Sequence, residues 1–205
     1  MSLVFKRLRR ILEFYGNTSF QFIACSATLP NPDNHLNLFL GLTDVVSISR
    51  DSAPKSKKYQ IVLRPNLKTN FLGDSCDVAL MLMSNQLKTI VFTRSRQECE
   101  LMMLELNRKS KLYPNIQDKF SAYRGGYSAS DRRAIEEKLL NGKLLSVICT
   151  SALELGIDIG CLDAVVHVGF PVSMTSFVQQ SGRAGRRQKA ALDILVILLF
   201  YFNRY

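Results

Sequence analysis

Apolar positions along this chain change rhythm several times, and each change marks an element. Within Leu3–Phe14 and just beyond it, Leu8, Ile11, Leu12 and Tyr15 recur at helical spacing with a basic opposite face, which predicts a helix that Gly16-Asn17 ends. The short apolar run Phe20–Cys25 predicts a strand buried on both faces. After Pro30-Asn31-Pro32, Asp33 or Asn34 is placed to cap a second helix ending near Gly41, and Val45–Ile48 predicts another strand. Arg50–Lys58, rich in Ser, Lys, Asp and Pro, reads as an exposed connection with the strand Tyr59–Leu63 leading out of it. A domain boundary falls naturally in such a segment.

From Ser75 onward the alternation is regular. It predicts a helix over Cys76–Ser84, a strand over Thr89–Thr93 and a helix over Arg96–Lys109. The strand Lys119–Tyr123, the helix Ala129–Leu140 and the strands Leu145–Thr150 and Ala164–Val168 follow, then the helix Ser176–Gly182 and the strand Leu192–Phe200. Strands that alternate with helices imply an α/β fold with a mainly parallel sheet covered on both faces. In such sheets ligands sit beyond the carboxyl ends of the strands.

Composition narrows the partners. The 205 residues are 47% hydrophobic, and 27 Lys+Arg against 17 Asp+Glu leave a net charge of +10, which favours a polyanion, either nucleic acid or anionic lipid. The five cysteines form no Cys-x-x-Cys pair and there are two histidines, so no zinc site is expected, and isolated thiols point to a reducing intracellular compartment. Cys25, Cys99 and Cys149 lie in apolar surroundings and read as small core residues. The N-terminus does not read as a secretory signal, and Ile194–Phe202 is shorter than the ~20 residues of a membrane-spanning helix. No membrane partner is expected.

The chemistry concentrates in Gln179-Gln180-Ser181-Gly182-Arg183-Ala184-Gly185-Arg186-Arg187, where two arginines three apart are held between glycines. Glycine permits sharp turns and close approach, and a guanidinium is a rigid, always-charged fork for phosphate oxygens. The pair points to an arginine finger, the alternative being a basic loop. Three further segments follow strand ends in order: Ser26-Ala27-Thr28, then Val91-Phe92-Thr93-Arg94-Ser95, then Thr150-Ser151-Ala152-Leu153-Glu154-Leu155-Gly156-Ile157-Asp158. The series resembles motifs III, IV, V and VI of superfamily 2 helicases, nucleic-acid motors built from two RecA-like domains. Tyr123-Arg124-Gly125-Gly126-Tyr127, Asp131-Arg132-Arg133, Leu8-Arg9-Arg10-Ile11-Leu12 and Phe22–Thr28 narrow the likeness to the Hrq-type RecQ-related helicases and their bacterial MrfA-like relatives, over essentially the whole chain to about Lys189.

That resemblance implies an ATP-dependent, 3′-to-5′ DNA helicase associated with DNA repair, nuclear if the source is eukaryotic, acting on single-stranded or forked DNA. It implies that Arg183, Arg186 and Gln179 serve the terminal phosphates, with Arg186 the stronger finger candidate, and that ATP is used with Mg²⁺. Gly156 and Asp158 would approach the nucleotide, and Ser26 and Thr28 would couple hydrolysis to strand movement. Thr93, Arg94, Arg124, Thr150 and Ser151 would touch nucleic acid. For Ser95 a phosphate contact and an ordinary helix cap stay equally open, and Tyr127 either stacks on DNA or packs on the following helix. Glu154 reads as a solvated or bridging residue without chemistry, and Arg187 and Lys189 as a solvated basic edge.

The chain contains neither Gly-x-x-x-x-Gly-Lys-Ser/Thr nor Asp-Glu-x-His, the two motifs that hold the phosphates and Mg²⁺. By the resemblance it would start just downstream of them. Residues 1–49 would then be the tail of a first RecA-like domain, 50–73 a linker with a connecting strand, and 74–205 a second RecA-like domain, truncated. The missing first domain would be a partner in the ATP site. Two functions stand side by side: the C-terminal motor part of a helicase, and a non-catalytic nucleic-acid-binding module on the same fold.

Overall fold

The computed structural model describes residues 2–26, 29–43, 45–48, 56–65, 70–154, 162–185 and 189–197. The chain forms two compact units, Met1–Ala53 and Pro54–Tyr205.

In the first unit α1 spans Leu3–Phe14 and α2 spans Pro32–Leu36, continued by a π-helical turn over Asn37–Gly41. The cap of α2 is Asn31 in the left-handed region (φ 47°), not Asp33 or Asn34. The fixed φ of Pro32 suits the first helical position, which moves the start back. Phe5 meets Phe22 and Phe39 edge-on at centroid separations of 5.6 and 5.2 Å. The strands expected at Phe20–Cys25 and Val45–Ile48 are not formed: these segments carry no ladder, and Ile23 and Ile48 are 90% and 91% exposed. A strand exists through its partner, and among the described residues none lies beside either segment. Cys25 is accordingly exposed rather than a core residue.

The second unit is a six-stranded, wholly parallel sheet in the order β1-β6-β5-β2-β4-β3. Its strands are β1 (Lys58–Leu63), β2 (Thr89–Thr93), β3 (Phe120–Tyr123), β4 (Ser146–Cys149), β5 (Ala164–Val168) and β6 (Ala191–Val196). β1 is an edge strand of this sheet, paired with β6 from Lys58↔Ala191 to Leu63↔Val196. Its helices are α3 (Phe71–Ser84), α4 (Arg96–Ser110), α5 (Ala129–Leu140) and α6 (Met174–Ser181). Period-two alternation sends successive strand side chains to opposite faces. Val91, Ile148, Val166 and Ile194 pack against Cys76, Met83, Cys99 and Met102 of α3 and α4. Ile90, Val147, Cys149 and Val165 form the other layer with Tyr123, Leu139 of α5 and Leu153. Burial pushes the thiols of Cys76 and Cys99 up to about 12 and about 11, so both act as small apolar groups.

Serine caps set the starts of α4, α5 and α6. The hydroxyls of Ser95, Ser128 and Ser173 accept from the backbone N–H three residues on, at 3.1, 3.1 and 3.0 Å.

Candidate nucleotide and nucleic-acid site

Of the residues singled out in the second unit, Thr93, Arg94 and Ser151 line a cleft at the carboxyl ends of β2 and β4, where a parallel sheet leaves a crevice. Thr93 closes β2 with a buried side chain whose hydroxyl lies 3.1 Å from the Cys149 carbonyl and 3.2 Å from that of Ser95. Its single proton has backbone carbonyls on both sides to donate to. Ser95 is the cap of α4. Glu98, at the third helical position, reaches back to the Arg94 N–H at 2.9 Å and to its guanidinium at 2.5 Å. This is a variant of the capping box, and it holds Arg94 over the crevice.

Opposite stands Gly169, just after β5, with φ +81°. A Cβ there would fall 2.9 Å from Arg94 Nε and 3.0 Å from its Cδ. Glycine is thus favoured twice, by the left-handed backbone and by the Arg94 side chain lying against it, which a Cβ would displace. A cleft opens between Thr93, Arg94 and Ser151 on one side and Gly169, Ser176 and Gln180 on the other.

Thr150 leads from β4 into a single 3₁₀ turn, Ser151–Leu153, where Ser151 is exposed and Leu153 buried. Glu154 follows. Its carbonyl accepts from Arg183 Nε at 3.2 Å and Nη2 at 2.5 Å, and its carboxylate accepts from Gln180 Nε2 at 3.0 Å. Arg183 is therefore buried, with 8% exposure, and Gln179 is half-buried on α6. Behind Gln180, His167 bonds to Asp193 at 2.9 Å. Burial works against the Asp193 carboxylate, but hydrogen bonds from His167, Ser181 and Gln60, with the His167 charge, hold it below the ordinary carboxylate value.

Arg124, after β3, is paired with Glu100 and lies over the Tyr127 ring, 5.0 Å from its centroid. Tyr127 thus packs on an arginine of its own loop. Ser26 lies in the first unit and is exposed. Thr28, Gly156, Asp158 and Arg186 lie outside the described residues, as do Arg187 and Cys161.

The sequence reading missed His167, Asp193, Gln180 and Gly169, and it gave Glu154 no role. The signal for two of them was present: a polar residue set within the apolar strand runs Ala164–Val168 and Ala191–Val196 demands a buried partner. The donors that line the crevice, the Arg94 guanidinium and the exposed Ser151 hydroxyl, fit an anion, while Arg183 lies buried behind it with its guanidinium on the Glu154 carbonyl. Among the described residues no cluster of His, Cys, Asp or Glu could hold a metal ion.

The helicase conserved C-terminal domain model matches residues 73–188. The chain is similar to the ATP-dependent helicase HRQ1 of Saccharomyces cerevisiae, 44% identical over 207 residues that cover 96% of this chain and 19% of that protein. It is also similar to the ATP-dependent helicase hrq1 of Schizosaccharomyces pombe, 35% identical, covering 100% of this chain and 20% of the relative. Among solved structures it resembles the DUF1998 helicase MrfA bound to DNA and AMPPNP, with a TM-score of 0.84 and 34% identity over 96% of this chain and 28% of that one. The chain thus spans about a fifth of the two curated relatives, 19% and 20%. Its parallel sheet with helices on both faces is the RecA-like fold of such C-terminal domains.

Proposed function

The chain belongs to the helicase conserved C-terminal domain family, and from that premise we propose that it is the second motor domain of an ATP-dependent DNA helicase of superfamily 2. In this reading the motor moves 3′ to 5′ on single-stranded or forked DNA in repair, inside the cell and, in a eukaryote, in the nucleus. The observation that carries the proposal is the likeness to MrfA bound to DNA and AMPPNP across 96% of this chain.

ATP with Mg²⁺ supplies the driving free energy when its terminal phosphate is cleaved. A first RecA-like domain would furnish the phosphate loop and the acidic motif for the metal. This chain would close the site from the other side. Gly156 would let the backbone approach, Asp158 would accept from the ribose hydroxyls, and Gln179, Arg183 and Arg186 would neutralise charge growing on the phosphates. Ser26 and Thr28 would couple hydrolysis to strand movement. Arg94 and Ser151 at the cleft, with Thr93, Thr150 and Arg124, would form the nucleic-acid side. Phosphate contacts of that kind fix register without reading sequence.

The test places this chain in yeast HRQ1 in exchange for the matching 207 residues. Strand separation is then measured on duplexes with a 3′ or a 5′ single-stranded tail. ATP-dependent unwinding of the 3′-tailed duplex is expected. Tight DNA binding with neither unwinding nor hydrolysis would favour the non-catalytic binding module instead.

A further inference from the structure

Inside the second unit, four polar side chains form one hydrogen-bonded line that ends on the residue holding Arg183. Asp193 sits within β6 and His167 within β5, on the sheet face that α6 covers. Asp193 Oδ1 lies 2.9 Å from His167 Nε2, His167 Nδ1 lies 3.0 Å from Gln180 Oε1, and Gln180 Nε2 donates to Glu154 Oε2 at 3.0 Å. Gln60, directly opposite Asp193 in the β1–β6 ladder, closes the far end at 3.3 Å. The Gln180 amide has one orientation available. The Glu154 carboxylate is an acceptor, so the amide nitrogen faces it and the amide oxygen faces the ring. The imidazole is itself held between Phe92 and Phe177, at centroid separations of 6.1 and 4.9 Å.

Burial makes the line cooperative. His167 is fully buried and Asp193 and Gln180 are 2% and 5% exposed, so removing any of these three strands a neighbour without water to replace the bond, while Glu154, half-buried at the cleft, is where the line meets the surface. Apolar side chains of equal volume would hold the layers together at least as well. What the polar line adds is direction. Glu154 is its joint, gripping Gln180 by the carboxylate and Arg183 by the carbonyl, so the 3₁₀ turn after β4 and the segment after α6 share one residue.

We propose that Glu154, Gln180 and His167, backed by Asp193, are positioning residues for ATP turnover that set where the Arg183 segment stands. The proposal rests on the helicase reading above. Their hydrogen bonds run to Arg183 through Glu154, so in this role each acts through Arg183. Misplacing a group by about 1 Å costs on the order of a hundredfold in rate, so losing the joint matters although the fold survives.

The test uses Glu154→Met, which keeps the backbone carbonyl and side-chain length but removes the acceptor, and Glu154→Gln, which keeps an acceptor oxygen for Gln180. Hydrogen exchange of the full 205-residue chain is followed by mass spectrometry. In Glu154→Met, exchange over 179–185 should rise roughly tenfold, as expected for one lost charge-assisted bond, with no change over α4. In the HRQ1 exchange protein, kcat for DNA-stimulated ATP hydrolysis should fall roughly ten- to a hundredfold with KM for ATP within about twofold, and Glu154→Gln should restore both readouts. His167→Phe, which keeps the ring between Phe92 and Phe177, should repeat the loss. Wild-type exchange and turnover in Glu154→Met, or equal loss in Glu154→Gln, would overturn the proposal. A parent protein that does not hydrolyse ATP would defeat the helicase reading instead, and the exchange measurement would still decide whether the line positions the segment.

Discussion

Gly169→Ala is a sharp test of how the crevice is built, because the glycine serves the backbone and Arg94 together. At φ +81° an alanine carries the left-handed penalty, about 1–2 kcal/mol, offset by about 0.4–1 kcal/mol from the less flexible unfolded chain. The new methyl also arrives 2.9 Å from Arg94 Nε and 3.0 Å from Cδ, so the guanidinium has to swing away. Its pair with Glu98, partly exposed on both sides, is worth only about 0.3–0.5 kcal/mol. The sum is a loss of about 0.3–2 kcal/mol, centred near 1, or roughly 1–8 °C in Tm for a chain of this size. Gly125→Ala is the control, with nothing within 4 Å of the added Cβ and a φ outside the left-handed range. Urea and thermal unfolding of both variants give the stabilities, and titration with single-stranded DNA gives the effect of moving Arg94. If Gly169→Ala unfolds with Gly125→Ala and binds DNA like the parent, Arg94 is not seated as described.

Other outcomes follow from the same geometry. Binding of single-stranded DNA should weaken steeply with salt, and Arg94→Ala should lower the slope of log affinity against log salt by about one, since each phosphate contact releases roughly one counterion; an unchanged slope would remove Arg94 from the interface. Asp193 has a folded-state value below its ordinary 3.8, so its contribution to stability is present above that value and is lost as pH falls through the lower, folded one. Asp193→Asn should therefore destabilise the chain at neutral pH and flatten the acid limb of its stability curve, as read by urea unfolding between about pH 2 and pH 7; an unaltered acid limb would contradict the bonding described for Asp193.

The sheet was legible where local signals agreed with one another. β2 and β5 are mainly apolar runs, and α4 and α5 follow serine caps, so the existence of these elements could be read directly. Phe20–Cys25 has the same apolar character, yet it forms no strand, because a ladder needs a partner that no local pattern reveals. The line from Asp193 to Glu154 was hidden for a related reason. Its members stand 26, 13 and 26 residues apart, and sheet register together with the docking of α6 brings them together. Gly169 gave no motif either; what favours it is a side chain arriving from another strand end.

Phosphate release from ATP by the HRQ1 exchange protein, with and without single-stranded DNA, tests the central claim most directly. The account predicts DNA-stimulated turnover that Arg186→Ala lowers by about 10³-fold or more with little change in ATP affinity, because an arginine finger acts on charge developing in the transition state. Lys189→Ala should stay near the parent, and the 205-residue chain alone, lacking a phosphate loop, should release none. DNA-stimulated turnover by the chain alone, or full turnover in Arg186→Ala with loss in Lys189→Ala, would contradict it.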